Sequence, residues 1–590
     1  MTPFLTRPEL CGSFGAVAST HWLASGVGQA VLERGGNAFD AAVAAGFTLW
    51  VAEPHLNGPA GDAPIIVSHA RTGKQHVICG QGVSPAGASI DAYHALDLEE
   101  IPGTGHLAAV VPGAFDAWCL MLRDFGTWDF ADIIEYAIFY AVQGVPVMPQ
   151  MVATIASVES LFRDHWPENA KTFMPDGVVP AAGTLLRRPV LAETLKRLKD
   201  AAAGATREDR IDAVRHAWYD GFVAEAIDRF CRVPMMDSSG TPHAGLLRSA
   251  DLAAWRATLE DPVSLQDGRY TVLKCGPWSQ GPVFLQQLAL MQGFDVAGMD
   301  PCGADFLHTV TECAKLAYAD REAFYGDTPD VPLATLLSAS YNDARRTLVG
   351  ERASLELRPG RPDGRVPEPG FLPTAHGGGR IASGVGEPTV SNMGVTKGDT
   401  CHVDVVDAEG NMVSATPSGG WLQSAPVIPE LGFGLGSRAQ MFSLRAGHPN
   451  MLAPRKRPRT TLTPSFVLKD GKPWMAFGTP GGDQQDQWSF TFYMRMTRFG
   501  MNIQQAIEAP SFHSEHWPGS FWPHDAHPAR LVVEGRFGAD VVEDLRNRGH
   551  DVVVGGDWSE GRLSAIRREA DGRLYAGANP RGMQGYAVAR

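Results

Sequence analysis

"VTKGDTCHVDVVDAEGNMVSATPSGGW" runs from Val395 to Trp421 and joins two unlike kinds of chain. Upstream, from Leu357 to Lys397, Gly and Pro abound and no apolar face repeats, which predicts a mobile connector. Downstream, CHVDVVD and MVSAT flank the turn AEGN and predict two paired strands. Strand alternation puts Thr400, His402 and Asp404 on one face, with Cys401 and Val403 on the other. A loop feeding a rigid strand suits scission of the Asp399–Thr400 bond, because the strand fixes Thr400 while the loop departs. The freed α-amine has a pKa of about 7.7–8.0, suited to deprotonating the threonine hydroxyl beside it. Threonine is also a good β former, so the stretch alone leaves both readings open.

Working outward, the pattern alternates helices with short strands. HWLASGVGQAVLERGGNAFDAAVAAGFTLWVAEP predicts two helices parted at Gly35-Gly36, the second from about Phe39. WDFADIIEYAIFYAVQG and DFLHTVTECAKLAYADREAFYG predict two more amphipathic helices. PIIVSHARTGKQHVIC and TPSFVLKDGKPWMAFG read as hairpins, the latter with an Asp-Gly turn, and RYTVLKCGPW as a strand. QQAIEAPSF and VVEDLRNRG predict short helices among the last strands. Helices flanking stacked hairpin sheets predict an α+β fold, a four-layer αββα sandwich.

The 590 residues exceed the usual size of one core, so the expectation is a large domain or two tightly joined halves. A net charge of −14 argues against nucleic acid and anionic membranes as partners, since both require a basic face. The one dense basic run, Arg455-Lys456-Arg457-Pro458-Arg459, is short and lies between apolar segments. Eight cysteines (Cys11, Cys79, Cys119, Cys231, Cys275, Cys302, Cys313 and Cys401) are scattered without paired spacing, which predicts free thiols, no metal site and no cofactor. The first residues lack a signal-peptide core, and a cytoplasmic location is expected.

A second element is FGTPGGDQQD, Phe477 to Asp486, where a strand exits into Pro480-Gly481-Gly482 before a polar, helical stretch. Paired glycines let backbone N–H groups face a cavity as an oxyanion hole, or simply make a tight turn.

Several stretches in order resemble the γ-glutamyltranspeptidase family of N-terminal-nucleophile hydrolases. They are LERGGNAFDAAVAA with EPHLNGPAG, VVPGAFDAW, AKLAYADREAFYGD, GDTCHVDVVDAEGN, RKRPRTTLTPSFV and GTPGGD. The resemblance implies self-cleavage into a large subunit, 1–399, and a small one, 400–590, folded as one unit. Residues 355–399 would be the flexible segment before the cut, and a homodimer of such heterodimers is among the assemblies allowed. It implies Thr400 as nucleophile, Gly481 and Gly482 as the oxyanion hole, and hydroxyls of Thr416 and Ser418 beside the nucleophile. Thr460 and Thr461 match a serine pair that contacts the substrate carboxylate. His402 is read as structural and Cys401 as core.

The chain also departs from the family pattern. Where members carry a carboxylate-binding Arg, Gly80-Gln81-Gly82-Val83-Ser84-Pro85 offers Gln81. Where members hold the substrate ammonium with an Asp, Gly436-Ser437-Arg438-Ala439-Gln440-Met441-Phe442 has no carboxylate. An amide cannot supply the charge-assisted fork of a guanidinium, so an acyl group without an amino-acid head is expected. Arg438 becomes the candidate carboxylate contact, Gln440 stands near it, and Trp421 and Phe433 are candidate walls for an apolar acyl pocket or ordinary core aromatics. Phe442–Lys456 is short for a lid, which favours water over an acceptor amine. The resulting expectation is an amidohydrolase or acyltransferase for a small-molecule amide, with cephalosporin side chains or oxamate-like amides as models. A true γ-glutamyltransferase of glutathione metabolism and an uncut, non-enzymatic member are the alternatives.

Overall fold

The computed structural model describes residues 4–368 and 400–590. In chain order its main strands are β1 (Leu10–Gly12), β2 (Gly15–Ser19), β3 (Ile65–His69), β4 (Lys74–Cys79), β5 (Thr258–Glu260), β6 (Val263–Asp267) and β7 (Tyr270–Lys274). They continue with β8 (Val403–Asp407), β9 (Met412–Ala415), β10 (Ser465–Lys469), β11 (Lys472–Gly478), β12 (Ser564–Arg568), β13 (Leu574–Ala578) and β14 (Tyr586–Ala589). One sheet runs β1-β13-β12-β11-β10-β7-β6 and the other β14-β2-β8-β9-β3-β4-β5. Every neighbouring pair in both is antiparallel.

Period-two patterning sorts the side chains into layers. Ala16, Ala18, Ile66, Val406, Met412, Phe466, Ala476 and Ile566 form one apolar cluster drawn from both sheets. Their chain neighbours Val17, Val405 and Val413 turn outward against α1 (Trp22–Glu33), α2 (Ala38–Ala52), α3 (Ala114–Phe125) and α4 (Phe130–Gln143). Val467, Met475, Phe477 and Ala565 turn the opposite way, against α5 (Pro282–Met291), α6 (Ala304–Phe324) and α7 (Gln485–Arg498). The result is the predicted αββα sandwich.

The local signals act where the sequence places them. α1 stops before Gly35, and Asn37 opens α2 through a capping box with Asp40. The β10–β11 hairpin turns on Asp470 and Gly471, both at positive φ (52° and 75°), as its Asp-Gly pair requires. Of the connector expected over 355–399, residues 369–399 lie outside the described residues, as does Asp399 of the expected cleaved bond. The part before it is held to the body: Gly360 N–H donates to Asp320 (2.6 Å) and Arg358 to Glu312 (3.1 Å). Among the described residues no helix is long and apolar enough to cross a membrane. The basic run is engaged internally, Arg457 with Asp327 and Glu260, Arg459 with Glu322.

Candidate active site

Thr400 lies three residues before β8 and is fully buried in the uncut chain. It forms an antiparallel bridge with Ser418, and the two side-chain oxygens stand 3.1 Å apart. Ser418 in turn exchanges backbone hydrogen bonds with Asp62 (2.9 and 2.8 Å). Residue 61 must be glycine for this, because a Cβ there would fall 1.9 Å from the Ser418 carbonyl oxygen.

Beyond Thr400 the alternation is as predicted. His402 and Asp404 face the opposite sheet: His402 meets Thr416 Oγ1 at 3.0 Å and Asp404 at 2.9 Å. Asp404 also accepts from Ser414 (3.0 Å) and Ser564 (3.3 Å), a strand of each sheet. Burial raises the Asp404 pKa, with His402 opposing the rise. Thr416 thus hydrogen-bonds the buried histidine, whereas Ser418 meets Thr400. On the other face, Cys401 donates to Glu53 (3.1 Å) and accepts from Asn57 Nδ2 (3.1 Å) within the helical core. Burial holds its thiol pKa far above the ordinary range and raises that of Glu53.

The second strand of the site is β11. Its last residue, Gly478, lies under the His402 ring so closely that a Cβ would meet Cε1 at 2.3 Å. His402, two residues after Thr400, thus packs on the strand that leads into the Pro480-Gly481-Gly482 loop. Gly481 has φ 113°, and a Cβ there would strike the Trp488 ring at 2.5 Å. Both glycines are buried, and neither N–H has an acceptor among the described residues. Backbone N–H groups left without an acceptor among the described residues are able to receive an oxyanion. Asp483, next in the chain, anchors the loop by accepting from Ser520 N–H (2.8 Å) and Oγ (2.7 Å) and from Arg321. Burial alone would raise its pKa, but Arg321 lowers it below the usual carboxylate value.

The expected substrate contacts divide. Thr460 exchanges backbone bonds with Trp278 and Gln280, and Gln280 Nε2 reaches the Gly482 carbonyl at 3.4 Å. The buried Thr461 hydroxyl has no partner among the described residues. Gln81 is buried beside the Asp62 edge, since Ala63 N–H donates to the Gly80 carbonyl, and its Oε1 is also unpartnered there. Gln440 is engaged structurally, donating to Gly103 and Ser437 and accepting from Trp522 N–H. Arg438 is no solvated surface arginine: it is fully buried and paired through Nε with Asp62. Phe433 belongs to the helical core, stacked on Trp218 (5.5 Å), whereas Trp421 packs with Met441 and Phe521 beside Arg438. The Phe442–Lys456 segment folds back on itself, with Ser443 paired to Met451 and His448 bonded to Glu322.

Among the described residues one group, His308, Glu312 and His550, has metal-ligand spacing. Glu312 already accepts from Lys315 (2.6 Å) and Arg358 (3.1 Å), which makes the group an ion-pair cluster.

Several site residues carry no signal in isolation. Glu53, Asn57 and Asp62 hold the Thr400 strand from more than 300 positions away, as the separations of Asn57 and Cys401 (344) and Glu53 and Cys401 (348) record. EPHLNGPAG stands out in sequence, but its contact with Cys401 and Ser418 is tertiary. Arg321 and Ser520, which fix Asp483, lie 162 and 37 positions from it.

The family model for gamma-glutamyltranspeptidase matches residues 24–589. The chain belongs to the gamma-glutamyltranspeptidase family. The glutathione hydrolase-like YwrD proenzyme of Bacillus subtilis (strain 168) is 32% identical over 581 residues, 97% of this chain and 98% of that protein. The solved structure of LmbA2991HD is 52% identical with a TM-score of 0.93 and full coverage of both chains. Cephalosporin acylase from Bacillus halodurans is 29% identical with a TM-score of 0.83, covering 100% of this chain and 98% of that one. This gamma-glutamyltranspeptidase-family chain is therefore an enzyme with the N-terminal-nucleophile hydrolase fold, and its relatives include hydrolase proenzymes and acylases.

Proposed function

We propose that the protein is a self-processing amidohydrolase that uses Thr400 as its N-terminal nucleophile and acts on an acyl amide other than γ-glutamyl. What supports this is that Thr400 Oγ1 stands 3.1 Å from Ser418 Oγ, while His402, two residues on, packs on Gly478 at the head of a loop whose two buried glycine N–H groups have no acceptor among the described residues. In the uncut chain, Thr400 Oγ attacks the Asp399 carbonyl carbon and the acyl group moves from nitrogen to oxygen. Water then hydrolyses the ester, leaving the Asp399 carboxylate and a free Thr400 amine.

That amine accepts the hydroxyl proton as Oγ attacks the substrate carbonyl. The Gly481 and Gly482 N–H groups receive the developing oxyanion, a contribution of about 3 kcal/mol per donor in comparable sites. Collapse expels the amine product, which takes up the proton, and leaves an acyl ester on Thr400. Water resolves that ester by the reverse proton path. The short Phe442–Lys456 segment favours water over a bound acceptor amine. Eight unpaired cysteines favour a reducing, cytoplasmic setting.

Rapid quenching after mixing with acyl amides, followed by mass spectrometry, tests the intermediate. The expected adduct lies on the peptide that begins at Thr400; an adduct elsewhere, with turnover intact, refutes the assignment. A glutathione-hydrolase reading is favoured by the name of the B. subtilis relative. Vigorous turnover of a γ-glutamyl anilide would select glutathione-type hydrolysis over hydrolysis of a non-glutamyl amide.

A further inference from the structure

We infer that Glu53 is a positioning residue for the nucleophile: through the Cys401 thiol it fixes the chain end that self-cleavage creates at Thr400. This role deepens the proposed amidohydrolase function and rests on it. Once the bond before Thr400 is cut, Thr400 keeps one covalent neighbour, Cys401, and chain ends fray unless they are tied down. Cys401 is tied in three directions. Its N–H donates to the Pro417 carbonyl (2.9 Å), its Sγ donates to Glu53 Oε2 (3.1 Å), and the same Sγ accepts from Asn57 Nδ2 (3.1 Å). A thiol engaged both as donor and as acceptor has its rotation fixed. Holding Cys401 on the helical side sets Thr400 the other way, toward Ser418 Oγ at 3.1 Å.

The order of the sheet places Glu53 for this task. Glu53 ends α2 and is fully buried. Its Oε2 accepts from Thr20 Oγ1 (2.7 Å) as well as from Cys401, and its Oε1 accepts from Gln584 Nε2. Thr20 follows β2, while Cys401 and Gln584 lead into β8 and β14, and these strands are neighbours in the order β14-β2-β8. One carboxylate therefore gathers three adjacent strand ends at the edge where Thr400 lies. Thr20 N–H also donates to the His402 carbonyl (3.2 Å), so the two residues after Thr400 are both held. Burying a carboxylate is costly. Burial raises the Glu53 pKa, and Thr20, Cys401, Arg562 and Gln584 oppose the rise. Arg562 in turn donates its N–H to Thr479 Oγ1 (3.0 Å), at the entry to the Pro480-Gly481-Gly482 loop.

The test follows the full chain made by cell-free translation, where the growth of the small fragment on a denaturing gel gives the self-cleavage rate. Glu53→Met keeps the side-chain length but removes the acceptor, and Cys401→Ala removes the donor. Glu53→Gln keeps an oxygen for Thr20 and Cys401, and Cys401→Ser keeps a donor for Glu53. Self-cleavage is expected to slow about tenfold or more in Glu53→Met and Cys401→Ala, and to stay within about threefold of wild type in Glu53→Gln and Cys401→Ser. The Glu53→Met/Cys401→Ala double variant is expected to be no slower than the slower single, because the two changes remove one contact. In matured protein the same losses are expected in kcat with acetyl- or γ-glutamyl-p-nitroanilide, with KM nearly unchanged. Thermal melting shows whether each variant folds; should Glu53→Met not fold, the Cys401→Ala and Cys401→Ser pair decides. Wild-type rates in folded Cys401→Ala, losses that add in the double variant, or Cys401→Ser as slow as Cys401→Ala overturns the inference while the proposed function stands. A wild type that never yields a fragment beginning at Thr400 refutes the proposed function, and the inference with it.

Discussion

At the scale of single residues, the site depends on positions where a side chain is forbidden as much as on those where one reacts. Gly481 combines φ 113° with a ring 2.5 Å from where a Cβ would sit. Gly481→Ala is expected to displace the oxyanion N–H and lower kcat by about 100-fold, with KM nearly unchanged, as for loss of one such donor. Steady-state kinetics checks this; an unchanged kcat would remove Gly481 from the oxyanion hole. Thr400 and the glycine pair stand out in sequence because each is a local anomaly, a hydroxyl-bearing residue at a loop–strand border and a Pro-Gly-Gly after a strand. Thr416 is harder to place: a hydroxyl two positions from Ser418 looks equivalent, but the strand ladder gives it to His402. Asp62 is invisible for a different reason, since its role exists only through Ser418 and Arg438, both distant in the chain.

At the scale of elements, a small sheet made by residues Phe512–Ser514, Arg530–Val533 and Asp551–Val554 buttresses the Gly481-Gly482 loop. Its His513 meets Trp488 edge-on at 5.7 Å, and Trp488 backs Gly481. Burial alone would lower the His513 pKa, but Glu560 (2.5 Å) and Glu515 (3.5 Å) outweigh it and raise the value from 6.5 to about 10. The folded protein thus retains a proton that the unfolded chain releases near pH 6.5. The associated stability is complete below that pH and is lost as pH rises through about 10. Thermal midpoints should fall across this window in the wild type and flatten in His513→Gln; an equal slope in both would contradict the assignment. The main strands and helices follow from periodicity and turn residues such as Asp470-Gly471. This buttress does not, because its strands are only three or four residues long.

At the scale of the whole molecule, the two segments on either side of Thr400 are interleaved. In one sheet β8 and β9 lie between β2 and β3, and β14 flanks β2. In the other, β10 to β13 are bracketed by β1 on one edge and β7 and β6 on the other. The layer pattern is readable from alternation, but this interleaving is a matter of strand order, which periodicity does not encode. Cutting before Thr400 should leave one stable particle, because both sheets and the three largest apolar clusters draw on both segments. Mass spectrometry of one catalytically active preparation, first native and then denatured, tests the central claim. The expected result is a native particle that contains both segments and separates on denaturation into two fragments, the smaller beginning with a free amine at Thr400. Full activity in a preparation that remains one unbroken chain of 590 residues would contradict it.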